Sequence, residues 1–245
     1  MTSEGLDARV VALKAHGETR VRNCLGNDPE ANALLRSDSM AMLIGLVLQR
    51  GLPFERVWRI PLHLYRHLGH LDPSRLAQMS VEDMTRAFEN LDVRHRFPAQ
   101  AASTIVALAE LVTKTFGGDG SRVWRGRAVL DVIAELDSLP WVGSGIANMT
   151  VLELMHEAGY EPDIEELPDL DVKADVHVVR VFYRLGISDA ETVDAALRAA
   201  RRHHRAFPGL LDWPAWDIGN RFCKPRTPSC SDCPLVKVCE RRGVG

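Results

Sequence analysis

Four of the five cysteines in this 245-residue chain crowd into its last 23 residues, at Cys223, Cys230, Cys233 and Cys239. The spacing is C-x6-C-x2-C-x5-C, with Pro225, Pro228 and Pro234 in the intervening loops. So short a segment cannot bury a core of its own, and four thiolates packed this closely suit a metal centre. Zinc accepts four thiolates but usually takes them from two C-x2-C knuckles, and only one is present. A [4Fe–4S] cluster tolerates uneven spacing. The expectation is therefore a metal centre, iron–sulfur before zinc. Cys24 stands alone and reads as a small buried hydrophobe.

The remaining composition is that of a globular chain. Apolar residues make up 46% of it, enough for one large domain or two small ones. The apolar run Met40 to Leu48 is far too short to cross a membrane and reads as a buried helix. Met1 to Arg9 carries Glu4 and Asp7 and has no apolar h-region, so no secretion signal is expected. The expected location is cytosolic, where disulfides are rare. Net charge is −3 overall but unevenly spread. Val176 to Gly245 holds 12 Lys/Arg against 7 Asp/Glu, whereas Asn148 to Asp175 holds 1 Lys against 9 Asp/Glu. A basic C-terminal third can bind a polyanion even when the whole chain is acidic.

No segment shows sustained period-two alternation, so the chain is expected to be all-α. Residues 6 to 37 read as helix, with Leu6, Val10, Leu13 and Val21 apolar and Asn27-Asp28-Pro29 interrupting. Ser37 or Asp38 caps the next helix, which is apolar nearly all round and belongs at the centre of a bundle. Pro53 opens a helix expected to run to Leu68. Further helices are expected at Ser74 to Met79, Val81 to Leu91 behind a Ser80 cap, Ala99 to Phe116, Asp131 to Leu136, Val176 to Leu185, Asp189 to Arg205 and Ala215 to Phe222. Gly159 to Val172, with two prolines and many acids, reads as a linker.

The stretch from Leu139 to Asp175 offers two chemical devices. Leu139-Pro140-Trp141-Val142-Gly143-Ser144-Gly145-Ile146-Ala147 is a tight turn ahead of a helix. Its glycines permit positive φ and bare backbone N–H groups, and a helix N-terminus adds partial positive charge, a combination that holds phosphate. Asp175 then places one carboxylate ahead of the apolar run Val176-Val178-Val179-Val181-Phe182. The plain alternative is a helical corner with Asp175 as an N-cap.

Leu-Pro-x-Val-Gly, then Asp followed by His-Val-x-x-Arg-Val, then the cysteine spacing, resembles the endonuclease III branch of the helix-hairpin-helix-Gly/Pro/Asp DNA glycosylases. The resemblance spans about Asp28 to Arg241. It implies two helical domains, a six-helix barrel over 38–156 bearing the helix-hairpin-helix, and a cluster domain built from 1–37 plus 173–245. Residues 157–172 would be an acidic insertion, and DNA would sit in the groove between the domains. The partner implied is double-stranded DNA carrying a damaged or mismatched base, bound by a monomer, with no membrane and association with the nucleoid in a bacterium. Asp175 falls on the catalytic aspartate. Leu139, Trp141, Val142, Gly143 and Gly145 fall on the DNA-gripping hairpin, often with a monovalent cation. Gln49 falls on the wedge residue, Lys224 and Arg226 on a loop facing the DNA backbone, and the four cysteines on the ligands of a [4Fe–4S] cluster.

The chain departs from that pattern at several points. Gly145 stands where endonuclease III has the lysine whose amine attacks the sugar, so strand cleavage by that route is lost. Ile44 stands where the adenine-mismatch branch has glutamate. Trp141 replaces a hairpin glycine; its indole can stack on a base or sugar, but packing inside is the expectation. The expected activity is therefore a monofunctional glycosylase, with pyrimidines favoured as the target. In it an ionised Asp175 stabilises positive charge on the sugar and water is the nucleophile. Gln49, with Leu52 as its neighbour, would fill the gap left by the flipped base. Alternatives are a lyase using Lys173, which shares a face with Asp175 if the segment is extended, and a non-catalytic binder of damaged DNA. His177 is expected to be structural, Arg180 and Arg184 to form local salt bridges, and the basic run 201–205 to be a solvated face.

Overall fold

The computed structural model describes residues 7–19, 25–50, 52–93 and 95–244. Cys24 and the expected helix positions Leu6 and Val21 lie outside the described residues. Those residues are helices joined by turns, with no strand among them. In chain order the helices are α1 (Ala8–Thr19), α2 (Pro29–Ser37), α3 (Ser39–Val47), α4 (Phe54–Val57), α5 (Ile60–Leu68), α6 (Pro73–Leu76), α7 (Val81–Glu89), α8 (Pro98–Phe116), α9 (Val129–Asp137), α10 (Gly143–Glu157), α11 (Val176–Leu185), α12 (Val193–His203) and α13 (Asp212–Arg221). None of these is long and apolar enough to cross a membrane.

The chain divides into two compact units, one of residues 23–163 and one joining 1–22 to 164–245. In the middle unit the helix starts follow from short polar side chains. Asp28 accepts from the Glu30 and Ala31 amides at 3.1 Å, and Asp38 accepts from the Met40 and Ala41 amides at 2.8 and 2.9 Å. Asp72 and Ser80 cap α6 and α7 in the same way. Every residue of α3 from Met40 to Val47 is buried. Helices α2, α5, α8 and α10 pack around it, which is where a helix without a polar face has to lie. Gly45 lets it close on its neighbours, since a Cβ there would meet the Trp58 ring at 2.8 Å.

One expected helix is broken. The run from Pro53 to Leu68 ends at Val57 and restarts at Ile60. Pro61 explains this, because it has no N–H to offer Val57 and its ring clashes with the preceding turn.

The other unit packs α11 against α13 and α12, with α1 laid on α13. Its core contains Val10, Leu13, Val178, Phe182, Leu185, Ala196, Ala199, Ala200, Leu211 and Ile218. Where α1 meets α13, the buried His16 Nε2 lies 2.8 Å from the Asp217 carboxylate. The last residues of the acidic segment fold onto this unit rather than hanging free. Leu170 and Val172 are buried, the Gly209 amide donates to Leu170 O at 2.8 Å, and Arg201 pairs with Asp171 through Nε at 2.8 Å and through Nη2.

Candidate active site

In the middle unit, α9 and α10 are joined by the turn Ser138 to Val142. Leu139 and Val142 are each 5% exposed and anchor it from below. The Val142 amide donates to Leu139 O at 3.2 Å, and Thr104 Oγ1 donates to Pro140 O at 2.7 Å. The backbone turns through two left-handed residues, Trp141 at φ 65° and Gly143 at φ 71°. Helix α10 then starts at Gly143 with no side chain capping it. Gly143 and Ser144 are exposed and Gly145 half-buried, so first-turn amides without intrahelical acceptors face outward. The turn and the uncapped helix start have the local form from which the sequence reading expects phosphate to be held. The side chains of Leu139 and Val142 are buried, so only their backbone groups are open to a ligand.

Gln49 lies just beyond the C-terminus of α3, half-buried, with its Nε2 donating to Gly45 O at 3.0 Å. Arg50 follows, and its guanidinium lies 5.6 Å from the centroid of the Trp141 ring. The indole is 54% exposed, which overturns the expectation that it packs inside. The left-handed backbone swings its Cβ away from the buried Leu139 and Val142. Ile44 is fully buried in α3.

In the other unit, Asp175 is the N-cap of α11. Its Oδ1 accepts from the His177 amide at 2.8 Å and the Val178 amide at 3.0 Å. The residue is half-buried. Its N-capping role and a chemical role are compatible, because one oxygen does all the capping. The Asp175 amide donates to Lys173 O at 2.6 Å, a three-residue turn. The segment is therefore bent, and the extended geometry that would put Lys173 and Asp175 on one face is not formed. The Lys173 amide is held by Asp212 Oδ1 at 2.6 Å.

Cys223, Cys230, Cys233 and Cys239 line one cavity together with Leu185, Ile218 and Leu235. None is in a disulfide. Burial, reinforced by the neighbouring thiols, raises the pKa of Cys233 and Cys239. Among the described residues no three His, Cys, Asp or Glu side chains converge on a point as they would around a single metal ion.

No family model matches the chain. Endonuclease III of Thermotoga maritima is 27% identical over 220 residues, covering 85% of this chain and 87% of that protein. Thymine-DNA glycosylase of Aeropyrum pernix is 25% identical over 211 residues, covering 83% and 82%. A solved endonuclease III–DNA covalent intermediate shares the fold, at TM-score 0.68 and 18% identity over 97% of this chain and 96% of that one. Over more than four fifths of its length the chain is thus similar to endonuclease III and to a thymine-DNA glycosylase, and it has the endonuclease III fold.

In this endonuclease III-like chain two arginines do work that the sequence reading missed. Arg180 and Arg184, one turn apart on α11, are 6% and 8% exposed. The expected salt bridges are absent among the described residues. Arg180 donates to Cys223 O at 2.6 Å, Val176 O at 2.8 Å and Gly219 O at 3.1 Å. Arg184 donates to Lys224 O at 2.7 Å and Pro225 O at 2.8 Å. Both guanidiniums thus tie the helix capped by Asp175 to the start of the cysteine loop. The available signal is their spacing, two arginines four residues apart in a helix otherwise rich in apolar residues.

His177 has the structural surroundings expected of it, with Nδ1 3.1 Å from Arg180 and its ring edge-on to Trp216. Lys224 and Arg226 are exposed on the cysteine loop, and Lys224 Nζ donates to Asn220 O. The basic run is only partly a solvated face, because Arg201 holds Asp171 and Arg202 donates to Ile187 O at 2.9 Å.

The crossing of α11 over α13 depends on Gly219. A Cβ there would lie 2.7 Å from His177 Cβ and 3.1 Å from its backbone oxygen. Gly219→Ala is expected to destabilise by about 1–3 kcal/mol from overpacking, despite alanine's better helix propensity. Thermal unfolding monitored by circular dichroism checks this; an unchanged midpoint would mean that the crossing relaxes freely.

Proposed function

We propose that this chain is a DNA base-excision glycosylase that extrudes a damaged or mismatched base, a pyrimidine by preference, and hydrolyses its N-glycosidic bond without cutting the strand. The observation that carries the reading is the Asp175 carboxylate, half-buried and fixed at a helix start by two amides on one oxygen. Extrusion of a base costs about a few kcal/mol; Gln49 offsets it by filling the gap. The uncapped amides of α10 hold a phosphate of the same strand. As the bond to the base breaks, positive charge builds on the sugar, and a fixed carboxylate beside it lowers that barrier. Asp175 also orients the attacking water. Gly145 has no amine to take the water's place, and the bent Lys173–Asp175 segment does not supply one.

The cysteine pocket fits the cluster that the family implies, because four unpaired thiols share one mainly apolar cavity. Cys223, Cys230, Cys233 and Cys239 would hold a [4Fe–4S] cluster, which when bound supplies the cross-link that orders the C-terminal segment.

A panel of single-lesion duplexes, read with and without alkali, tests the proposal. Product is expected only after alkali, and borohydride is expected to trap no protein–DNA adduct. A trapped adduct that disappears in Lys173→Ala would overturn the hydrolytic mechanism in favour of a lyase.

A further inference from the structure

Trp141 is an expensive residue for its position. The turn needs a left-handed backbone there, which glycine adopts freely and a bulky residue rarely does. The conformation is imposed from both sides, by buried Leu139 and Val142 and by the Thr104 bond to Pro140 O. A ring held this way cannot relax into the core, and more than half of its surface is open.

The ring's surroundings indicate what it is built to meet. The half-buried Arg50 guanidinium lies against it at cation–π distance. Two residues further along the chain begin the uncapped amides of α10, which attract phosphate. An outward ring, a cation and a phosphate-binding helix start together match the parts of a nucleotide. Arg50 is also the next residue after Gln49, so the indole is tied to the chain segment that carries the wedge. A base inside an intact duplex is stacked on both faces and has none to offer. A base whose neighbour has been flipped out has one.

We propose that Trp141, backed by Arg50, is a stacking platform for the nucleobase left without a neighbour when the target is extruded, and that it holds the DNA open beside Gln49. This rests on the glycosylase reading above and adds to it a specific contact with unstacked DNA.

The test compares binding of two duplexes of one sequence, intact or carrying a stable abasic analogue, by wild-type protein, Trp141→Gly and Trp141→Phe. Glycine suits the left-handed turn, so Trp141→Gly is expected to fold, with a thermal midpoint at or above that of the wild type. Its affinity for the abasic-analogue duplex is expected to fall about ten-fold, the scale of one lost base–aromatic stack. Affinity for intact duplex is expected to fall far less, and Trp141→Phe to keep most of the preference. Equal losses on both duplexes, or no loss on either, would overturn the platform. The two readings fail separately. Wild-type protein that releases a base and prefers the abasic analogue, beside a Trp141→Gly variant with the same preference, overturns the platform alone. Wild-type protein that neither releases any base nor prefers the analogue overturns both.

Discussion

Asp175→Asn is expected to abolish base release, by on the order of 10³-fold or more, while leaving the fold and DNA affinity largely intact. Asp175 has two separable jobs. As an N-cap it needs one oxygen to accept from the His177 and Val178 amides. Asparagine caps about as well as aspartate, so the start of α11 should survive. The loss of a negative charge from the helix N-terminus costs about 0.3–1 kcal/mol. As the chemical group it needs a negative charge beside the developing cation, which an amide cannot supply. Asp175→Ala serves as the control in the opposite sense: it removes the cap as well, and should cost about 1 kcal/mol of stability in addition to the activity. Single-turnover base release, duplex binding and thermal unfolding, measured on both variants, separate the roles. If Asp175→Asn released base at the wild-type rate, the carboxylate would be only a cap, and the proposed mechanism would fall with it.

The sequence made the helices legible because their ends are marked by chemistry that acts locally. Asp28, Asp38, Asp72, Ser80 and Asp175 each cap where a short polar side chain precedes a helix, and Gly186 ends α11 in the left-handed conformation. The apolar content of α3 likewise placed it at a bundle centre. The break at Trp58 is equally local, since Pro61 has no N–H to offer the preceding turn and crowds it. Arg180 and Arg184 were of another kind. Most of their partners are backbone carbonyls some forty residues away, and a carbonyl, unlike an acidic side chain, leaves no mark in a sequence. Trp141 departs from its expected packing for a related reason. An indole is apolar enough to be buried, and its exposure follows from φ at one residue, which is set by the anchors around it and not by the tryptophan itself.

Replacing any one of Cys223, Cys230, Cys233 or Cys239 with serine is expected to cost about 4 kcal/mol or more and to lower the unfolding midpoint by about 8–16 °C. Residues 223–244 contain one buried hydrophobic side chain, Leu235, worth about 1.5–3 kcal/mol. That is far below the conformational entropy of ordering the segment, so the segment needs a cross-link that its own core cannot replace. The damage should then spread inward. Arg180 and Arg184 are buried, and most of their acceptors are carbonyls from Gly219 to Pro225. If the loop melts, two guanidiniums lose partners inside the protein, a loss that weighs more than any exposed ion pair. Both sit on α11, whose first turn is held by Asp175. Base release should therefore fall with the cysteine substitutions although no cysteine contributes to the chemistry. Visible absorbance of the purified protein, its midpoint, and proteolysis after Lys224 or Arg226 read the three parts of this argument. A colourless Cys230→Ser variant that kept the wild-type midpoint and resisted cleavage would show that the loop stands without its cross-link.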